Sequence, residues 1–275
     1  MTLNCGAQAC IASLELYFGS QHLSSIQEYG ALFSLVQDFT TDLNSLRSSG
    51  TVRGIADFSP AGVASADKIT NAYYSRAGAT IPANSSLTVA LPLMCPIGTL
   101  GMKAIALSQL QDSIRLEVKW VSQVEWGTYD SAAASTTGCT ISNIKLHLSE
   151  VRMDGAVERA MMDMLGGMVT MPTFDFSHFR STVSASSGFI SMQIPIRVSS
   201  ACNIFIILRE SLVATPHNRK QVSQRTKAGM IDYRFRLGSM VIPQSPIACT
   251  GSAAEAQFKL ACTFGGGISD AAAHS

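Results

Sequence analysis

The chain has 275 residues, enough for one large or two ordinary domains, and only 14% of them are charged against 47% hydrophobic. An average globular chain carries about 25% charged residues, so this deficit implies either a well-filled core or surface buried against neighbouring copies. The formal net charge of +1 excludes a global field that would draw in nucleic acid or an anionic membrane.

Two-residue alternation dominates the chain, the mark of strands with one buried face. Leu14, Leu16 and Phe18 alternate with Ser13, Glu15 and Tyr17. Next, Ser25-Ile26-Gln27-Glu28 fits a capping box, and Ile26, Tyr29, Phe33 and Val36 then recur at helical spacing up to Asp38. A helix over 25–38 is predicted. Strands follow at Leu87, Val89, Leu91 and Leu93, at Ile114, Leu116, Val118 and Trp120, and at Ile144, Leu146 and Leu148 with His147 on the polar side. The stretch 154–165 reads as a second helix, with Asp154 as N-cap, Val157, Met161, Met164 and Leu165 on one face, and Gly166-Gly167 ending it.

Ile190 to Val198 alternates as a long strand, with Pro195 suited to an edge or bend. Asn203 to Leu208 is apolar at nearly every position, as in a strand buried on both faces. Ile194, Ile196, Val198, Ile204, Ile206 and Leu208 are expected to point into a core, with Ser199-Ser200-Ala201 as the connection. Tyr233, Phe235 and Leu237 alternate with Arg234 and Arg236, and Gly238 permits a turn. A weaker eighth strand spans 257–264. Segments 48–83, 127–139 and 215–229, rich in small and polar residues, read as long loops. The basic stretch His217 to Lys227 is either a solvated loop or a contact to an acidic neighbour. Eight or so strands with two helices mean an all-β chain built as a β-sandwich.

Chemistry is sparse. Seven cysteines, an odd number without C-x-x-C spacing, indicate neither a disulfide framework nor a zinc site, and all seven are expected as thiols in a reducing compartment, cytosol or nucleus. No signal peptide and no membrane-length apolar run is read. His22, His147, His178, His217 and His274 form no ligand pair, and Gly265-Gly266-Gly267 lacks the Lys-Ser/Thr of a phosphate cradle. Asp38 and Asp42 read as solvated. Trp120 and Trp126 are the only tryptophans, too few for an aromatic sugar platform. The expectation is therefore no catalytic, cofactor-binding or metal-binding residue, and no enzyme.

Three stretches, in order, carry a family resemblance. The first runs from Gly6-Ala7-Gln8-Ala9-Cys10-Ile11 through Leu14-Glu15-Leu16 to Ile26-Gln27-Glu28-Tyr29 and Leu32. The second is Ile194-Pro195-Ile196-Arg197-Val198-Ser199-Ser200 leading into Ile204-Phe205 and Leu208-Arg209. The third is Tyr233-Arg234-Phe235-Arg236-Leu237-Gly238-Ser239, then Ile242-Pro243 and Ala254-Glu255-Ala256. Together they resemble the double-jelly-roll major capsid proteins of tailless double-stranded DNA viruses, the lineage of adenovirus hexons, virophages and Polinton-like viruses.

The resemblance implies two jelly rolls, the first over 1–138 with its N-terminal strands lying outside the match and the second over 139–275 with its C-terminal strands outside it. A central portion of a longer protein is the expected status of the chain. Function by this resemblance is structural: homotrimers of pseudo-hexagonal outline pack into an icosahedral shell, made in cytoplasm or nucleus and residing in the virion. The implied partners are other copies, penton and minor capsid proteins, with no specific nucleic-acid readout, no cofactor and no catalytic residue to transfer. The competing expectation is a secreted or surface β-sandwich adhesin that forms trimers, against which the missing signal peptide and odd cysteine count weigh.

Overall fold

The computed structural model describes residues 2–3, 6–40, 51–55, 79, 81–95, 112–121, 127–128, 140–150, 152–164, 175–184, 188–195, 204–208 and 230–248. The strands are β1 (Thr2–Leu3), β2 (Ile11–Phe18), β3 (Gln21–Gln27), β4 (Ile114–Trp120), β5 (Gly127–Thr128), β6 (Asp232–Leu237) and β7 (Met240–Ala248). Two α-helices accompany them, α1 (Tyr29–Thr40) and α2 (Gly155–Met164). Every strand pair among the described residues is antiparallel, which places the chain in the all-β class with two short helices.

The first unit is built on β2, the centre of the sheet β3-β2-β4. Leu14 and Leu16 face Ile26 on one side and Val118 and Leu116 on the other through this register. Helix α1 lays Tyr29 and Phe33 over that face, and the extended segment 91–95 closes the layer with Met94 and Cys95. Tyr29 and Ile26 are both 0% exposed and Leu14 1%. Each such side chain gains about 1.5–3 kcal/mol from leaving water. Cys10 and Cys95 are buried thiols, and the other five cysteines lie outside the described residues.

Two hairpins share one turn chemistry. Phe18 pairs with Gln21 across Gly19-Ser20, and Leu237 pairs with Met240 across Gly238-Ser239. Gly19 has φ 57° and Gly238 φ 60°, while neither serine is left-handed. Positive φ at the first central residue alone is the requirement of a type II′ hairpin turn, which glycine meets without strain. The turn expected at Gly238 is present.

Several expectations change. Ser25 and Ile26 belong to β3, so Ser25 caps no helix: its hydroxyl accepts a hydrogen bond from the Gln27 side-chain amide (2.6 Å), and α1 begins at Tyr29. The Glu28 carboxylate turns to Arg180 instead of back to the cap. Ile26 still reaches the core, because a two-residue alternation with Ser24 also runs through this polar stretch. The second helix holds, and Asp154 caps it by accepting from the Ala156 N–H at 2.9 Å.

The segments around 87–93, 144–149, 190–195 and 204–208 carry no ladder among the described residues. Of the expected core residues that are described, Ile194 and Leu208 are half-buried, but the other two are not. Ile204 and Ile206 are about half exposed, whereas Phe205 is half-buried and packs its ring against Phe176 at 6.3 Å. The expected core residues Ile196 and Val198, the connection Ser199-Ser200-Ala201, the eighth strand and the basic stretch lie outside the described residues.

Candidate functional site

The second face of β2 carries the densest charge. Ser13, Glu15 and Tyr17 sit there, flanked by Gln27, Ser25 and His22 of β3 and by Lys119, Glu117 and Arg115 of β4. The register sets Glu15 directly opposite Glu117, a like-charge pair that costs stability unless cations intervene. They do. Lys119 Nζ donates to Glu15 Oε1 at 2.5 Å, and Arg115 Nε reaches Glu117 Oε1 at 3.1 Å. Tyr17 Oη donates to Glu15 Oε2 at 2.8 Å. The Arg115 guanidinium lies 4.5 Å over the Tyr17 ring, and the His22 ring meets the same ring edge-on at 5.1 Å.

These contacts fix the protonation states. Hydrogen bonds from Lys119 and Tyr17 hold the Glu15 carboxyl below the usual carboxylate range. The Glu15 carboxylate in turn raises the Tyr17 phenol and the Lys119 ammonium. Glu15 is therefore locked as an anion near neutrality, unlike a general acid or base poised there. The cluster clamps three strands together.

A second constellation lies at the corner between β3 and α1. Ser24, 3% exposed, donates its hydroxyl to Asp175 Oδ1 at 2.6 Å. Arg180 Nη1 reaches Glu28 Oε1 at 3.1 Å. Between these two anchors Phe176 packs on the core around Tyr29 and Met94. Residues 175–180 thus lie against the first unit from about 150 positions further along the chain.

From residue 140 onward most of the large hydrophobic side chains described are exposed. Between residues 140 and 248 the described residues bury one large hydrophobic side chain, Ile247. Leu148, Met164 and Phe189 are 80% exposed or more, and Ile144, Leu146, Ile231, Leu237 and Met240 are more than half exposed. An open groove of about 370 Å³ runs between 179–184 and 189–193, lined by Phe179, Val183, Phe189 and Met192 with serine, threonine and glutamine between them. No ionisable side chain lines it.

Sequence reading named no site residue; of the histidines it weighed, His22, His147 and His178 are each exposed, and His217 and His274 lie outside the described residues. Among the described residues no three His, Cys, Asp or Glu side chains gather as a metal site, and no helix is long and apolar enough to cross a membrane. The Glu15–Lys119 clamp and the Ser24–Asp175 and Glu28–Arg180 ties were missed. Alternation marked Glu15 and Lys119 as outward-facing, but nothing local links positions 24 and 28 to 175 and 180. No family model, no curated protein and no solved structure matches the chain.

Proposed function

We propose that this chain is a shell-forming structural subunit, a major capsid protein of the double-jelly-roll type that assembles through trimers of pseudo-hexagonal outline. The observation that carries this reading is the apolar exposure of the described residues from 140 to 248, combined with a charge fraction of only 14%. Contiguous exposed apolar surface marks interaction sites in soluble proteins. Burying ~1,000 Å² of it between copies supplies ~25 kcal/mol before ordering costs. Two hairpins with the same Gly-Ser turn, one in each half of the chain, suit a fold built from two similar rolls. The residue patterns of the three stretches noted above supply the family and the number three.

In this reading the partners are other copies and the shell's penton and minor proteins, the place is the virion, and assembly occurs in cytoplasm or nucleus. No catalytic step is assigned to it. Light scattering on the purified chain at micromolar concentration tests the reading: it expects a particle of three times the 29.2 kDa chain mass, or larger shells. A stable, soluble monomer under the same conditions would overturn it.

A further inference from the structure

We propose that residues 175–180 form a releasable latch, which docks on the Ser24–Glu28 corner of the first unit and opens without unfolding that unit. The inference stands apart from the capsid reading and holds whichever way that reading is decided.

The latch has three fastenings of unequal kind. Ser24 and Asp175 share a short hydrogen bond, Glu28 and Arg180 an ion pair, and Phe176 is the one aromatic seated on the core. The other latch residues are exposed: Ser177, His178 and Phe179 lie on the surface, and Asp175 and Arg180 are themselves open to water. Opening therefore severs the packing of one ring, Phe176, on the core and against Phe205, and two polar contacts whose latch-side partners, Asp175 and Arg180, are open to water. It leaves intact the β3-β2-β4 ladders and the seal of Leu14, Ile26 and Tyr29. Segments held by few buried contacts open locally at far lower free energy than sheet cores.

The backbone of Glu28 supplies an independent pointer. Its φ is 50°, in the left-handed region that a glutamate rarely adopts. Its carbonyl accepts from the Ala31 and Leu32 N–H groups, so the residue sits where the helix starts, a position that glycine would fill with less strain. In that conformation its carboxylate holds the Arg180 guanidinium. Strained residues of this sort cluster at clamps and switches.

Limited trypsin digestion of the full chain tests the latch, reading cleavage at Arg180–Ser181 against cleavage at Arg159–Ala160 in α2 as internal reference. Native-state proteolysis follows the open population when opening is fast. Removing both polar fastenings, by Ser24→Ala with Glu28→Gln, is expected to raise the relative rate at Arg180–Ser181 about tenfold. The thermal midpoint of the first unit, followed by Trp120 fluorescence in a Trp126→Phe background, is expected to hold. Glu28→Gly separates the two roles: it relieves the backbone and removes the carboxylate, so cleavage speeds up while the midpoint stays level or rises. An unchanged relative rate in these variants overturns the latch. So does a rate that rises only together with a falling midpoint, because the segment would then be an inseparable part of the first core.

Discussion

Tyr29 shows how much one side chain can settle. Its ring stacks on Phe33 at 5.7 Å, and its phenolic oxygen accepts a hydrogen bond from the buried Met94 N–H at 2.7 Å. Burial pushes the phenol far above its ordinary range, so it stays neutral wherever the protein is folded. Tyr29→Phe keeps the packing and leaves the Met94 N–H unsatisfied; a loss of about 1–3 kcal/mol in urea unfolding is expected. Glu15 makes a pH prediction. Its folded pKa lies below the ordinary 4.5, so its contribution is present above that value and is lost as pH falls through the lowered one. Lys119 is shifted the other way, upward from 10.5; its share is complete below that value and fades as pH climbs past it. The thermal midpoint should drop on acidification below about pH 4.5, and Glu15→Gln should flatten that slope. An equally steep slope in the variant would show that other carboxylates dominate.

At the scale of elements, the two Gly-Ser turns offer a matched comparison. A Cβ at Gly19 would collide with the Asp112 carboxylate, whereas at Gly238 nothing lies within 4 Å. Both positions share the left-handed φ, so alanine costs about 1–2 kcal/mol of backbone strain at either. Gly19→Ala is expected to be the more damaging because Asp112 must also move. Chemical denaturation of the two variants measures the difference, and equal losses would mean that the carboxylate swings away freely. The packing predictions follow the observed faces. Leu14→Ala, in the sealed centre of β2, should cost about 2–5 kcal/mol. Ile206→Ala, on a half-exposed face, should change the stability of the isolated chain by under about 0.5 kcal/mol, against the core role expected of it from the sequence.

For the whole molecule, the contrast between the halves matters most. Residues 6–40 with segment 91–95 and β4 form a layer around one core, on which Phe176 also packs, while most large apolar side chains described from 140 to 248 are exposed and Ile247 is the one that is buried. A two-stranded hairpin such as β6-β7 is marginal alone in water. Covering it by a second copy would couple its stability to concentration. The unfolding midpoint of the second half is therefore expected to rise with protein concentration while that of the first unit stays put. Hydrogen exchange at β6 and at β2, followed from low to high micromolar, checks this; parallel behaviour of the two strands would count against assembly through the second half.

Local chemistry determined a good deal by itself. Alternation located β2, β4 and β6, because successive side chains of a strand point to opposite faces, although in β2 Ser13 and Glu15 on the polar face are buried as well. Asp154 marked the start of α2 through the N–H groups that a helix leaves over, and Gly238 marked a turn through its tolerance of positive φ. Tertiary structure decided the rest. Ser25-Ile26-Gln27-Glu28 satisfies a capping box and a strand equally well, and pairing with Glu15 and Leu14 on β2 settled it as strand. The run at 204–208 is apolar throughout, so its composition marks no outward side; in the fold Phe205 meets Phe176 while Ile206 is half exposed. The ties from Ser24 to Asp175 and from Glu28 to Arg180 join residues about 150 positions apart, a distance over which side-chain periodicity carries no information.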